Sequence, residues 1–145
     1  MYNSKKINLR KKMKTKKQIV ESYYENLWNK QDKTYIDKLF DDNIVFRGSL
    51  GIETRGKEGF IEYFDMITTA IPNLYHGIEV LIVEDNQVAV RAVYNGTHKG
   101  KLFDFEATNN RIKYNGASFF KIENEKIVEI WVLGDLNVLY KQLGK

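Results

Sequence analysis

From Tyr75 to Leu133 no helical pattern interrupts a series of strand-like segments, and this excludes more folds than any other feature of the sequence. "YHGIEVLIVEDNQVAVRAVYNGTHKG" reads as two long strands joined near Asp85 and Asn86. "KLFDFEATNNRIKYNGASFFKIENEKIVEIWVL" supplies at least two more, with a turn around Glu123 to Glu125. Parallel neighbours need long crossovers, usually helical, and this stretch has none. A doubly wound sheet is therefore excluded, and the strands are expected to meander antiparallel.

Helical spacing is confined to the two ends. Ile19, Tyr23 and Leu27, with Tyr24 and Trp28 beside them, predict an amphipathic helix with a broad aromatic face over residues 16–29. A short second helix is expected over residues 33–39, with Asp32 as its cap. "NIVFRGS" reads as a strand entering a turn. "KEGFIEYFDMITTAI" predicts a third helix with Phe60, Phe64 and Ile67 on one stripe, stopped by Pro72. "DLNVLYKQL" reads as a short terminal helix with Gly144 beyond it. Helices first and sheet afterwards give an α+β layer fold: a strongly curved, mostly antiparallel sheet packed on N-terminal helices, a cone around an apolar cavity.

At 145 residues, 43% of them hydrophobic, the chain suits one domain. The net charge of +4 hides a division. Residues 1–17 carry eight Lys or Arg and no acid, leaving 15 basic against 19 acidic residues elsewhere, a net of −4. Residues 1–15 are read as a basic, disordered arm and 16–145 as the domain; Met13 is a second candidate start. With basic charge confined to the arm, nucleic acid is not an expected partner of the domain. No apolar run is long enough to span a membrane or to make a signal peptide, so "NGT" at 95–97 is read as a chance match. Cysteine is absent and there are two histidines, His76 and His98, so neither thiolate chemistry nor a histidine-rich metal site is expected. A cytoplasmic location fits this composition.

Strand alternation gives the facing of the candidate site residues. Val90, Ala92, Tyr94 and His98 share one face; Arg91, Val93, Asn95 and Thr97 share the other. Ile127, Glu129, Trp131, Leu133 and Asp135 form one set on the last strand. Asp135 has two readings: the N-cap of the terminal helix, or an acid–base group at a pocket mouth walled by Trp131. His98 is a turn residue or a group that orients a substrate oxygen. Arg91 needs a partner, either Glu129 or a polar substrate. Tyr24, Trp28 and Phe64 line a ligand pocket or pack an ordinary core. Phe119 and Phe120 point to opposite sides, and an apolar outer sheet face predicts a homo-oligomer, most simply a dimer.

Taken together, "VRAVYNGTHKG" and "NGASFFKIENEKIVEIWVLGDLNVLYKQLG" resemble the SnoaL-like polyketide cyclase family of the NTF2-like superfamily, and the likeness extends more weakly back to about residue 16. The resemblance implies a cone-shaped oligomer and intramolecular aldol chemistry without metal or organic cofactor. It implies that Asp135, matching the family's terminal "W…D" pattern, moves a proton at an activated carbon. Arg91, His98 and Trp131 match the strand arginine, the "GTH" feature and the late tryptophan. Three departures stand out. Phe119, Phe120 and Lys121 occupy a strand where the family's cyclases carry a histidine, Thr108 to Arg111 replace a "TGR", and Ile130 stands where a histidine often precedes the tryptophan. The expected function is a cofactor-independent cyclase, isomerase or lyase acting on a small hydrophobic carbonyl or polyketide-like compound. The alternative is a noncatalytic small-molecule-binding or dimerisation domain.

Overall fold

The computed structural model describes residues 13–144. Residues 1–12, most of the expected basic arm, lie outside the described residues.

The first helix, α1 (Lys16–Ser22), starts at a reciprocal capping box. The Gln18 N–H donates to the Thr15 hydroxyl at 3.1 Å, and the Thr15 N–H donates to the Gln18 side chain at 3.0 Å. The expected single helix then widens into a π segment, Tyr23–Asn29, in which the Lys30 N–H bonds the Glu25 carbonyl. The wider turn brings Tyr23, Tyr24, Leu27 and Trp28 together on the buried side. Helix α2 (Thr34–Leu39) follows, and Asp32 accepts from the Thr34 N–H just ahead of it. Helix α3 (Gly56–Ala70) buries Phe60, Tyr63, Phe64 and Ile67 and ends two residues before Pro72.

Six strands form one sheet: β1 (Phe40–Arg47), β2 (Glu53–Arg55), β3 (Tyr75–Glu84), β4 (Gln87–Thr97), β5 (Arg111–Glu123) and β6 (Lys126–Gly134). Their order is β2-β1-β6-β5-β4-β3, antiparallel throughout except for the parallel pair β1 and β6. The β3–β4 and β5–β6 turns fall at Asp85 and at Asn124–Glu125, all three in left-handed backbone. Register shifts on β3 at Glu79 and on β6 at Val128 mark bulges, which bend the sheet around the helices. The Val128 bulge also divides one predicted set: Ile127 is buried, whereas Glu129 and Trp131 face outward.

The inner face carries Val88, Val90, Ala92 and Tyr94 from β4 with Ile112, Tyr114, Ser118 and Phe120 from β5. Rings from the helices meet it edge-on, Tyr23 against Phe120 at 5.1 Å and Phe60 against Phe46 at 4.9 Å. Helix α4 (Leu136–Leu143) closes one end. β5 pairs with β4 at Lys113, but β6 stops short of it on the other side, and there Gln142 takes the place of a strand neighbour. Its side chain accepts from the Lys113 N–H and donates to the Lys113 carbonyl, each at 2.7 Å. Gly144 then ends the helix at φ 106°. Among the described residues, no helix is long and apolar enough to cross a membrane.

Candidate functional site

The cone encloses a cavity of about 30 Å³, room for one or two waters. Its wall is aromatic and mixed, with polar groups set among Phe46, Ile67, Leu74 and Val132. Tyr23, Tyr24 and Trp28 come from the π segment, Tyr63 from α3, His76 from β3, Tyr94 from β4, and Tyr114 and Ser118 from β5, while Ser49 follows β1. Two glycines make space for these rings. A Cβ on Gly116 would lie 2.5 Å from the Tyr94 ring, and one on Gly48 would lie 2.2 Å from the Tyr63 ring.

Some of these polar groups are paired and others are not. The Tyr114 and Ser49 hydroxyls share a hydrogen bond of 2.9 Å. The Tyr24 hydroxyl, Trp28 Nε1 and His76 Nδ1 are buried without a hydrogen bond of good geometry, although the Ser118 hydroxyl lies close to Tyr24 and the Tyr23 hydroxyl close to the Trp28 indole. His76 is held by its backbone, whose N–H donates to Asn29 Oδ1 at 2.7 Å and whose carbonyl accepts from Asn29 Nδ2 at 2.9 Å. Burial pushes the His76 pKa down to about 3, so its imidazole is neutral at physiological pH. Burial pushes the Tyr63 and Tyr94 phenols up to about 12 and raises Tyr23, Tyr24 and Tyr114 well above the ordinary tyrosine value, so all five remain protonated donors. No carboxylate, lysine or arginine lines the cavity. Among the described residues, no three His, Asp or Glu side chains converge as metal ligands.

The residues singled out from sequence divide between three places. Tyr24 and Trp28 line the cavity, and Phe64 packs behind Trp28 at 4.8 Å. Asp135, Arg91 and Trp131 lie on the outer face of the sheet. Asp135 caps α4, accepting from the Val138 N–H at 3.3 Å, and it is exposed. Arg91 and Asp135 border a shallow depression on that face, together with Asn115, Ala117 and Leu133. Arg91 pairs with Glu79 at 3.6 Å rather than with Glu129. The physical reason is strand order: Glu79 lies on β3, the neighbour of β4, whereas Glu129 sits two strands away. Trp131 packs against Phe119 at 6.0 Å and under the Arg47 guanidinium at 5.0 Å.

His98 is fully buried but does not line the cavity. Its Nδ1 is 2.9 Å from the Thr108 hydroxyl and accepts from the Thr108 N–H at 3.3 Å. The Lys99 and Gly100 N–H groups both donate to the Ala70 carbonyl at the end of α3. The "GTHKG" segment thus ties the β4–β5 loop to a helix end.

Sequence reasoning did not single out His76, Tyr114, Ser118 or Ser49. Alternation from Tyr114 to Ser118 on β5 would have marked two of them, but nothing local marks His76.

The family model for SnoaL-like polyketide cyclases matches residues 18–143. Comparison with curated proteins gives no match. Among solved structures, TsrD from Streptomyces laurentii is 22% identical, with a TM-score of 0.79 over 88% of this chain and 93% of that one. A SnoaL-like polyketide cyclase from Agrobacterium tumefaciens is 24% identical, with a TM-score of 0.77 over 91% of this chain and the whole of the other. At such identities the structural likeness speaks to the fold alone, whereas the family model covers nearly the entire domain. On that match, the chain belongs to the SnoaL-like polyketide cyclase family, with the NTF2-like α+β cone its sequence predicts.

Proposed function

We propose that this protein binds a small, neutral, largely apolar compound carrying a carbonyl or hydroxyl oxygen inside the cone. The observation behind this reading is the group of unpartnered atoms at the cavity: Tyr24 Oη, Trp28 Nε1 and His76 Nδ1. A buried polar group without a partner costs about 1–3 kcal/mol, and a ligand oxygen placed among these atoms removes much of that cost. The wall's neutral character selects against ionised ligands. A ligand with a ring exceeds the present cavity, so binding requires the Tyr24 and His76 rings to move.

Acid–base catalysis is the second reading, favoured by the family match. In it the Tyr24 hydroxyl polarises a carbonyl and His76 Nδ1 takes an α-proton. Against it, burial makes His76 a weak base and no carboxylate is at hand. A role for Asp135, Arg91 and His98 would demand a substrate reaching the outer face or the loop instead. The outer face is also the proposed homodimer surface, supported by exposed Phe119, Trp131 and Leu133.

The test uses cyclohexanone as probe. Titration of the full chain should give a saturable NMR shift of the Trp28 indole N–H, weakened in Tyr24→Phe; no saturable shift would sink the binding reading. The same sample in D2O separates the two readings. α-Proton exchange at the buffer rate supports binding alone, whereas faster exchange that is lost in His76→Phe establishes catalysis.

A further inference from the structure

Among the described residues that line the cavity, all are buried except Ser49, which is half-exposed. At Ser49 the wall is one residue thick, with the cavity on one side of the chain and solvent on the other. Ser49 belongs to the turn at residues 48–52, between β1 and β2. The turn is closed mainly on itself. The Gly51 N–H donates to the Gly48 carbonyl and the Gly48 N–H to the Ile52 carbonyl, each at 3.0 Å. Its ties to the rest of the fold run through tyrosines. The Ser49 and Tyr114 hydroxyls share their 2.9 Å hydrogen bond, and the Tyr63 hydroxyl lies close to the Ser49 and Leu50 backbone. The turn also sits at the sheet edge, because β2 pairs with β1 alone. On β2 the Thr54 hydroxyl is buried without a partner, so that short strand is incompletely satisfied.

The other irregular segment at the cavity, residues 71–74, is the opposite case. It contributes Leu74 to the wall, but Asn73 bonds Thr97 twice, at 2.7 and 3.1 Å, and the Pro72 carbonyl accepts from Gln31 at 2.7 Å. The rest of the wall comes from helices and strands, whose opening breaks backbone ladders. Segments that open in a native fold are drawn from its least stable parts, and here that is the turn.

We propose that the turn at residues 48–52 is the gate of the internal cavity, with the Ser49–Tyr114 hydrogen bond as its latch. This rests on the cavity reading and adds the route by which a ligand reaches the interior. Lifting the turn removes Ser49 from the wall and frees the Tyr114 hydroxyl to donate to the oxygen of an entering ligand.

The chain has no cysteine, so Ser118→Cys sets a single thiol on the inner wall as a reporter. Its reaction with neutral methyl methanethiosulfonate in the full chain, followed by mass spectrometry, measures opening. Ser49→Ala in that background removes the latch and should speed labelling about fivefold. The rate should depend little on urea below the unfolding transition, as local opening requires. Asn73→Ala cuts the ties of the other segment and should leave the rate unchanged, which separates the gate from a general loss of stability. Amide exchange reads the same opening without the thiol. The Gly51 N–H should exchange faster in Ser49→Ala, whereas the Leu74 N–H, bonded to the Ile71 carbonyl, should not. No acceleration by Ser49→Ala, equal acceleration by Asn73→Ala, a rate that climbs with urea like global unfolding, or a thiol that never reacts in the folded chain would overturn the gate. The two readings fail separately. Cyclohexanone binding with labelling indifferent to Ser49→Ala removes the gate and leaves the cavity reading standing. Latch-dependent labelling with no cyclohexanone binding overturns the turn's role in ligand entry together with the cavity reading.

Discussion

The Trp28 indole stacks on the His76 imidazole, ring centroids 4.8 Å apart and planes inclined by 29°. The stack covers the imidazole with hydrocarbon and keeps it neutral, which couples stability to pH. Burial lowers the native pKa of His76 to about 3, while an unfolded histidine titrates near 6.5. Between those values the unfolded state binds a proton that the native state does not, so stability rises with pH. The contribution is complete above about pH 6.5 and is lost as pH falls toward 3, at up to about 1.4 kcal/mol per pH unit. Urea unfolding at pH 7.5, 6 and 5 should show this slope, and His76→Phe should remove it.

Tyr24→Phe should not destabilise the free protein. The hydroxyl it deletes is buried and unpartnered, so its loss is expected to be neutral or to stabilise by up to about 1 kcal/mol. A loss of more than that in urea unfolding would mean the hydroxyl already has a partner.

Asp135 gives a contrast between two variants. Asp135→Ala removes the acceptor for the Val138 N–H and should cost about 1 kcal/mol, whereas Asp135→Asn preserves a good cap and should cost far less. Neither should change cyclohexanone binding. Weakened binding in Asp135→Asn at unchanged stability would return the carboxylate to the functional site.

Gly116→Ala sets a methyl against the Tyr94 ring, which must shift within a packed interior. A cost of about 1–3 kcal/mol is expected, with a perturbed Trp28 indole signal as the ring displacement spreads. A fully stable variant with an unchanged spectrum would contradict the close packing of Tyr94.

The outer face predicts self-association. Phe119 and Leu133 are 49% and 53% exposed beside Trp131, an apolar patch of the kind that marks an interface. Light scattering should find a dimer, and Leu133→Glu should give a folded monomer. A monomeric native chain at micromolar concentration would remove the dimer proposal.

Much of the fold was legible because its signals are local. The β4 alternation placed Val90, Ala92, Tyr94 and His98 on one buried face, and Pro72 marked the end of α3. Trp131 and Asp135 were likewise correctly placed on one face, but alternation says which residues share a face and not which face is inside. The partner of Arg91 was hidden because alternation does not say which strands are neighbours: Glu79 lies on the adjacent β3, and Glu129 two strands away on β6. The π segment differs from an α-helix only in which carbonyl each N–H meets, and Tyr23 to Trp28 fit either spacing. The cavity's polar wall draws single residues from several elements, so Ser49, His76 and Tyr114 become neighbours only once the cone is closed.

The parallel pairing of β1 with β6 carries a consequence for the timing of folding. Arg47 on β1 donates a hydrogen bond to the Val132 carbonyl on β6, 85 positions further along the chain. The β3–β4 and β5–β6 hairpins need only near neighbours, but β1 has no place in the sheet until the penultimate element exists. On the ribosome, the first third of the molecule therefore emerges long before its strand can dock. Contacts of such separation fold slowly. Through that interval the aromatic face of the first helix has no cone to fill, and the interior forms only when synthesis is almost complete.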